Sequence, residues 1–169
     1  VIQANRNGHF YALDRTNGKL LAAKAYTKVT WTSGFDAKGR PILVPGQDPT
    51  EEGNRSCPGL GGGHNWQPTA YSPRTGLYYF GSTDGCHLYF KTDQEYVEGQ
   101  WYQLSTVGPV SREPEAGSAI AVDPATGKTR WRVELKSAPN GMLATAGDLV
   151  FTGDGSGYLV ALDARSGKV

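Results

Sequence analysis

One repeat constrains this chain more than any other feature. The segment Gly8-His-Phe-Tyr-Ala-Leu-Asp14-Arg-Thr-Asn-Gly18-Lys19 returns as Gly157-Tyr-Leu-Val-Ala-Leu-Asp163-Ala-Arg-Ser-Gly167-Lys168. Ser118-Ala-Ile-Ala-Val-Asp123-Pro-Ala-Thr-Gly127-Lys128 is a third copy, and Ala70-Tyr-Ser-Pro73-Arg-Thr75-Gly76 is a degenerate fourth. Asp and Gly stand four residues apart in each full copy, and Asp123 and Asp163 are 40 residues apart. That is the period of a propeller blade. Single Asp-x-x-x-Gly hairpins occur in many β proteins, but repetition in one strand–turn–strand context selects a propeller over a sandwich.

The motif has a direct physical reading. A strand of alternating apolar residues (Phe10 and Ala12, or Leu159 and Ala161) runs into Asp, whose carboxylate accepts hydrogen bonds from the next turn amides. Gly four residues on supplies the positive φ that closes the turn. The next strand leaves antiparallel, as in Lys128-Thr-Arg-Trp131-Arg-Val-Glu-Leu. The inner strand pair of a blade is legible in Leu143-Ala-Thr-Ala-Gly147-Asp148-Leu-Val-Phe-Thr-Gly153.

Composition agrees. The 23 glycines and 10 prolines among 169 residues leave hardly any stretch for a long helix, so the expectation is all-β. No apolar run approaches the roughly 20 residues of a transmembrane segment. The 17 basic and 16 acidic residues are interspersed, which gives no phosphate-binding stripe and argues against nucleic acid. Val1 opens directly into a strand pattern and Lys168 stops where a strand should begin. Residues 1–169 are therefore expected to be a single partial propeller domain, truncated at both ends.

At Ala121-Val-Asp123-Pro-Ala-Thr-Gly127-Lys-Thr-Arg-Trp131 the sequence resembles the tryptophan-docking repeat of the quinoprotein alcohol dehydrogenases, Ala-x-Asp-x-x-x-Gly-x-x-x-Trp. Trp131 fits that repeat, while the Asp14 copy carries Ala22 at the Trp position. Arg6-Asn-Gly8-His-Phe-Tyr-Ala-Leu-Asp14-Arg15, Asn65-Trp66-Gln-Pro68 and Ala144-Thr-Ala-Gly147-Asp-Leu-Val-Phe-Thr-Gly153 extend the likeness in the family's order. The resemblance implies about four blades of an eight-bladed propeller, from the C-terminal half of an enzyme dependent on pyrroloquinoline quinone (PQQ).

It further implies a calcium or lanthanide ion beside the quinone, a small primary alcohol as substrate, a cytochrome c as possible acceptor and a periplasmic location. Catalytic and metal-binding residues are expected upstream of Val1, none of them in this chain. Three contacts carry over. Arg6 stands where the family has a Lys or Arg reaching the quinone oxygens, and a cation suits charge that builds there on reduction. Thr83 stands where the family has Asn, with Asp84 beside it. Asp84-Gly85 reads equally as an ordinary hairpin turn. The third contact departs further: Pro139-Asn140-Gly141 replaces a Trp-Gly-Gly whose indole meets the cofactor ring.

The remaining candidates read as structural. Cys57 and Cys86, the only cysteines, are either a disulfide or two thiols. His64 and His87 have no carboxylate at ligand spacing and read as turn or packing residues. The run Gly59-Leu-Gly61-Gly-Gly63 lacks the strand–helix frame of a phosphate loop. Residues 91–99 read as a rim hairpin that could cover the cofactor face. Two functions follow: part of a PQQ-dependent dehydrogenase, favoured by Arg6 and the Asn65-Trp66 segment, or a non-catalytic propeller scaffold that has lost the quinone, favoured by Thr83 and Pro139-Asn140.

Overall fold

A computed structural model describes residues 1–110 and 116–169. The segment 98–114, which carried no family resemblance, falls partly outside them. The described residues form fifteen strands and no helix, so none long and apolar enough to cross a membrane. Three sheets stack in chain order. The first contains β1 (Ile2–Ala4), β2 (His9–Leu13) and β3 (Leu20–Ala25). Two small insertions follow, β4 (Thr32–Phe35) with β5 (Pro41–Leu43), and β6 (Asn54–Ser56).

The second sheet is a full four-stranded blade of β7 (Ala70–Ser72), β8 (Leu77–Asp84), β11 (Ala116–Asp123) and β12 (Lys128–Leu135). Between its second and third strands, β9 (His87–Lys91) and β10 (Ser105–Pro109) form an accessory sheet with β6. The third blade sheet contains β13 (Leu143–Ala144), β14 (Leu149–Gly153) and β15 (Leu159–Asp163). All ladders are antiparallel.

The Asp turns align the blades. In each copy the Gly amide bonds the Asp carbonyl at 2.8 Å, and the Asp carboxylate accepts from Thr16, Ala125 or Ser166 amides at 2.8–2.9 Å. The Asp123 turn joins the third and fourth strands of the middle blade, the Asp14 turn joins β2 to β3, and the Asp163 turn follows β15. The degenerate copy closes the same way, with Gly76 bonded to the Ser72 carbonyl at 2.8 Å, but it joins β7 to β8. It therefore adds an inner hairpin to the second blade, and the described residues hold three blade sheets.

Period-two alternation sorts the side chains of the middle blade. Tyr78, Phe80, Ile120 and Val122 pack on Ala4, Phe10 and Ala12 of the first sheet. Leu77, Tyr79, Ala119 and Ala121 pack on Met142, Val150 and Leu162 of the third. Burial on both faces makes Leu77–Ser82 and Gly117–Val122 continuously buried runs. On β15 the buried side is Leu162, with Val160 partly buried, rather than Leu159 and Ala161. Leu159 and Ala161 occupy the positions of Phe10 and Ala12, which pack on the next sheet in the first seam; here no described element covers that face.

Trp131 closes the seam between the second and third blades. It is 8% exposed, and its Nε1–H donates to the Ala164 carbonyl at 3.1 Å, which also accepts from the Tyr79 hydroxyl at 3.1 Å. Its ring lies over Gly167, where a Cβ would stand 2.8 Å from the indole, and φ there is +73°. That residue must be Gly both for its φ and for the ring above it. At the preceding seam Ala22 leaves the indole's place empty, and the Lys24 stem with the Phe10 ring covers Gly127 instead.

Trp131→Ala removes this contact and leaves a cavity, so it should destabilise the intact protein by about 3–5 kcal/mol in denaturant unfolding. An unchanged midpoint would remove the docking role.

Candidate cofactor site

The two ends of the blades differ. One carries the short Asp turns. The other gathers the β1–β2 turn, the end of β8, the β12–β13 connection and the β14–β15 turn. Arg6, Thr83, Asp84 and Pro139-Asn140 all lie at this second end.

Arg6 sits in the four-residue turn Asn5–Gly8 between β1 and β2, not at the start of a strand. The turn is locked from outside by a different donor at each carbonyl. The Tyr26 hydroxyl donates to Asn5 O at 2.6 Å, the Gly63 amide to Arg6 O at 3.0 Å, and the Trp31 indole to Asn7 O at 3.0 Å. From within, the Asn5 and Asn7 side chains accept from Asn7 and His9 amides at 3.1 Å. The guanidinium is exposed, donates to the Leu60 carbonyl, and has no carboxylate partner among the described residues. Beside it opens a cleft of about 580 Å³ lined by Asn5, Asn7, Trp31, Pro58, Leu60 and Tyr89. Burial pushes the Tyr89 phenol up, with the Arg6 charge opposing, so at neutral pH it is a neutral hydrogen-bonding group.

Thr83 and Asp84 are neighbours on β8, and their side chains leave opposite faces. The Thr83 amide donates to Gly63 O at 2.7 Å. The Asp84 carboxylate accepts from Arg132 and, at 3.4 Å, from the Ser118 hydroxyl of its own blade, and from the Thr27 hydroxyl that follows β3 of the first. Arg132 in turn donates to Tyr26 O at 3.0 Å. Asp84 is thus neutralised in a bridge between blades, so its charge does not confront an anion at this end. Pro139 is buried against Gly81 of β8, while Asn140 is exposed and its amide bonds Gly153 O at 3.0 Å.

The cysteine alternatives resolve to a disulfide between Cys57 and Cys86. It pins the segment 57–65 across this end of the blades. Leu60 N donates to His87 Nδ1 at 2.8 Å, and Gly59 N to Gly85 O at 2.9 Å. Both histidines take packing roles. His64 is buried edge-on to Phe80, and its ring Nδ1–H donates to Gly81 O at 2.8 Å. Residues 92–104 form the exposed tip of the β9–β10 hairpin, with Tyr96 and Tyr102 in edge contact at 5.5 Å. Sequence reasoning missed Trp31, Arg132 and the Cys57–Asn65 segment as parts of the site. The Asn-x-Asn-Gly turn signal and the glycine run next to Cys57 were the available hints.

Burial holds the His64 imidazole below its ordinary 6.5, opposed by its hydrogen bonds. The unfolded chain then binds the proton more readily. The contribution to stability is complete above 6.5 and is lost as pH falls below that value toward the folded pKa. His64→Gln should flatten the loss of stability between about pH 7 and about pH 5 in urea unfolding. A slope equal to that of the unaltered protein would show that His64 does not titrate this way.

Comparison with known proteins finds relatives that match nearly the whole chain. The family model described as outer membrane protein assembly factor BamB matches residues 115–169. The quinoprotein ethanol dehydrogenase of Pseudomonas aeruginosa is 42% identical over 98% of the chain and 28% of its own length. The solved quinohemoprotein alcohol dehydrogenase of Comamonas testosteroni superposes with a TM-score of 0.89 at 32% identity, over 99% of the chain and 27% of that structure. A europium-containing methanol dehydrogenase gives 0.84 at 31% identity, over 99% of the chain and 31% of that structure. The chain thus spans under a third of the length of these relatives, and its fold is that of their β-propellers.

Proposed function

We infer that this chain, a homologue of one segment of the quinoprotein alcohol dehydrogenases, supplies part of the wall of a PQQ site in an enzyme that oxidises primary alcohols or similar small substrates. The observation that carries the reading is Arg6: a cation in a turn fixed at every carbonyl, opening on a cleft and not consumed by a carboxylate among the described residues. Such a group fits a planar, anionic quinone, because its orientation is set before the ligand arrives. PQQ, when bound, supplies the redox chemistry by accepting the reducing equivalents of the alcohol.

The chain's own residues orient and stabilise. Arg6 would hold the quinone oxygens, where negative charge grows on reduction, and a donor aimed at developing charge accelerates such a step. Thr83 offers its hydroxyl on the face of β8 away from Asp84. Asp84 acts one step back, holding β8 to the first blade through Arg132 and Thr27. The calcium or lanthanide ion and the catalytic base belong to parts of the enzyme outside this chain. A cytochrome c is the proposed electron acceptor. The periplasm is the proposed compartment, and the Cys57–Cys86 disulfide supports it, since such bonds persist under oxidising conditions.

The test is equilibrium titration of the full-length protein with PQQ and calcium, followed by steady-state kinetics. Uptake is expected, and Arg6→Ala should lower kcat on the order of a hundredfold while changing the alcohol KM much less. No uptake at micromolar quinone would turn the chain into part of a cofactor-free scaffold and leave Arg6 an ordinary turn residue.

A further inference from the structure

The segment from Cys57 to Asn65 touches the Arg6 turn and the end of β8 at once. Its first residue is fixed by the disulfide to Cys86 and by paired bonds with Thr30, the Cys57 amide to the Thr30 hydroxyl at 2.9 Å and the Thr30 amide to Cys57 O at 3.0 Å. Its middle is held by the Gly59 and Leu60 amides, bonded to Gly85 O at 2.9 Å and His87 Nδ1 at 2.8 Å. Its far end is held by the buried His64. Three of its backbone groups then reach the site residues. Leu60 O accepts from the Arg6 guanidinium, Gly63 N donates to Arg6 O at 3.0 Å, and Gly63 O accepts from Thr83 N at 2.7 Å.

The approach leaves no room for a side chain at Gly63, where a Cβ would lie 2.7 Å from the Tyr26 hydroxyl oxygen, nor at Gly62, where it would meet Arg6 itself. At Gly62, φ is +77°, and a Cβ would lie 2.1 Å from Arg6 Cγ and 2.6 Å from Arg6 O. At the adjacent Gly61 a Cβ would meet nothing within 4 Å. The two neighbours therefore differ sharply in what a single methyl group would disturb.

We propose that this strap is the positioning element for Arg6: the Cys57–Cys86 disulfide and Gly62 hold the Leu60 and Gly63 backbone where it sets the direction of the guanidinium and ties it to Thr83. In this role the strap acts through Arg6, although Pro58 and Leu60 also line the cleft beside it. This rests on the reading of Arg6 as a quinone contact. It adds a cause for the side chain's orientation that lies 54 residues away in sequence. A freely rotating arginine would lose side-chain entropy each time it engaged an anion, and prior fixation removes that cost.

The experiment is a double-mutant cycle on the full-length protein, read as the PQQ dissociation constant by equilibrium titration, with Tm recorded for every variant. With Arg6 present, Gly62→Ala should weaken PQQ binding about tenfold, the low end of what loss of a supporting contact costs an orienting group. In the Arg6→Ala background the same change should shift the constant less than about twofold, because the two act as one unit. Gly61→Ala should leave the constant unchanged in either background. If Gly62→Ala does not fold, the pair Cys57→Ala and Cys86→Ala takes its place in the same cycle. Equal losses in both backgrounds, no loss from Gly62→Ala, or equal effects of Gly61→Ala and Gly62→Ala would each overturn the strap's role. If Arg6→Ala alone leaves PQQ binding intact, the reading of Arg6 as a quinone contact fails instead.

Discussion

Packing of one blade onto the next is the constraint from which the rest follows. A β-sheet with two apolar faces has no stable surface of its own, so each blade needs a neighbour on either side. The middle blade meets that demand with Tyr78, Phe80, Ile120 and Val122 on one face and Leu77, Tyr79, Ala119 and Ala121 on the other. Trp131 fixes the offset between two blades by pairing its indole N–H with the Ala164 carbonyl and its ring with Gly167. Once that seam is set, the Asp turns all fall at one end and the longer connections at the other.

This difference between the ends allows a site. The Asp turns satisfy themselves and leave little room for variation. At the opposite end the backbone of several segments converges, and several of its carbonyls and amides pair with groups from elsewhere in the chain. The Arg6 turn is an extreme case, with Tyr26 holding the Asn5 and Gly8 carbonyls and Gly63 and Trp31 one each. Rigidity at that point serves an exposed cation. Asp84, whose charge would oppose an anionic ligand, is paired with Arg132.

The repeat made the blades legible in the sequence, because its signals are local: an Asp, a Gly four residues on and a Trp eight residues on. The site was legible only where it copied a local motif. The resemblance singled out Arg6 as a candidate but not its place in a turn, since the alternation of β2 begins only after Gly8. Thr83 and Asp84 stood together in sequence, yet period two sends them to opposite faces. The strap escaped notice because its meaning depends on contacts 17 to 57 residues distant, which no spacing rule encodes. Likewise, the covering of Gly127 by Lys24 in place of a tryptophan depends on the three-dimensional stack and not on the motif.

The most direct measurement is a crystal structure of the full-length protein with PQQ and calcium bound. The account predicts the quinone at the end of the blades that carries Arg6, Thr83 and Asn140. The Arg6 guanidinium should lie within about 3 Å of a quinone oxygen, with Leu60 O still accepting from it and Asp84 still bound to Arg132. A quinone at the Asp-turn end, or Arg6 turned to solvent while the cofactor is held by other residues, would contradict it.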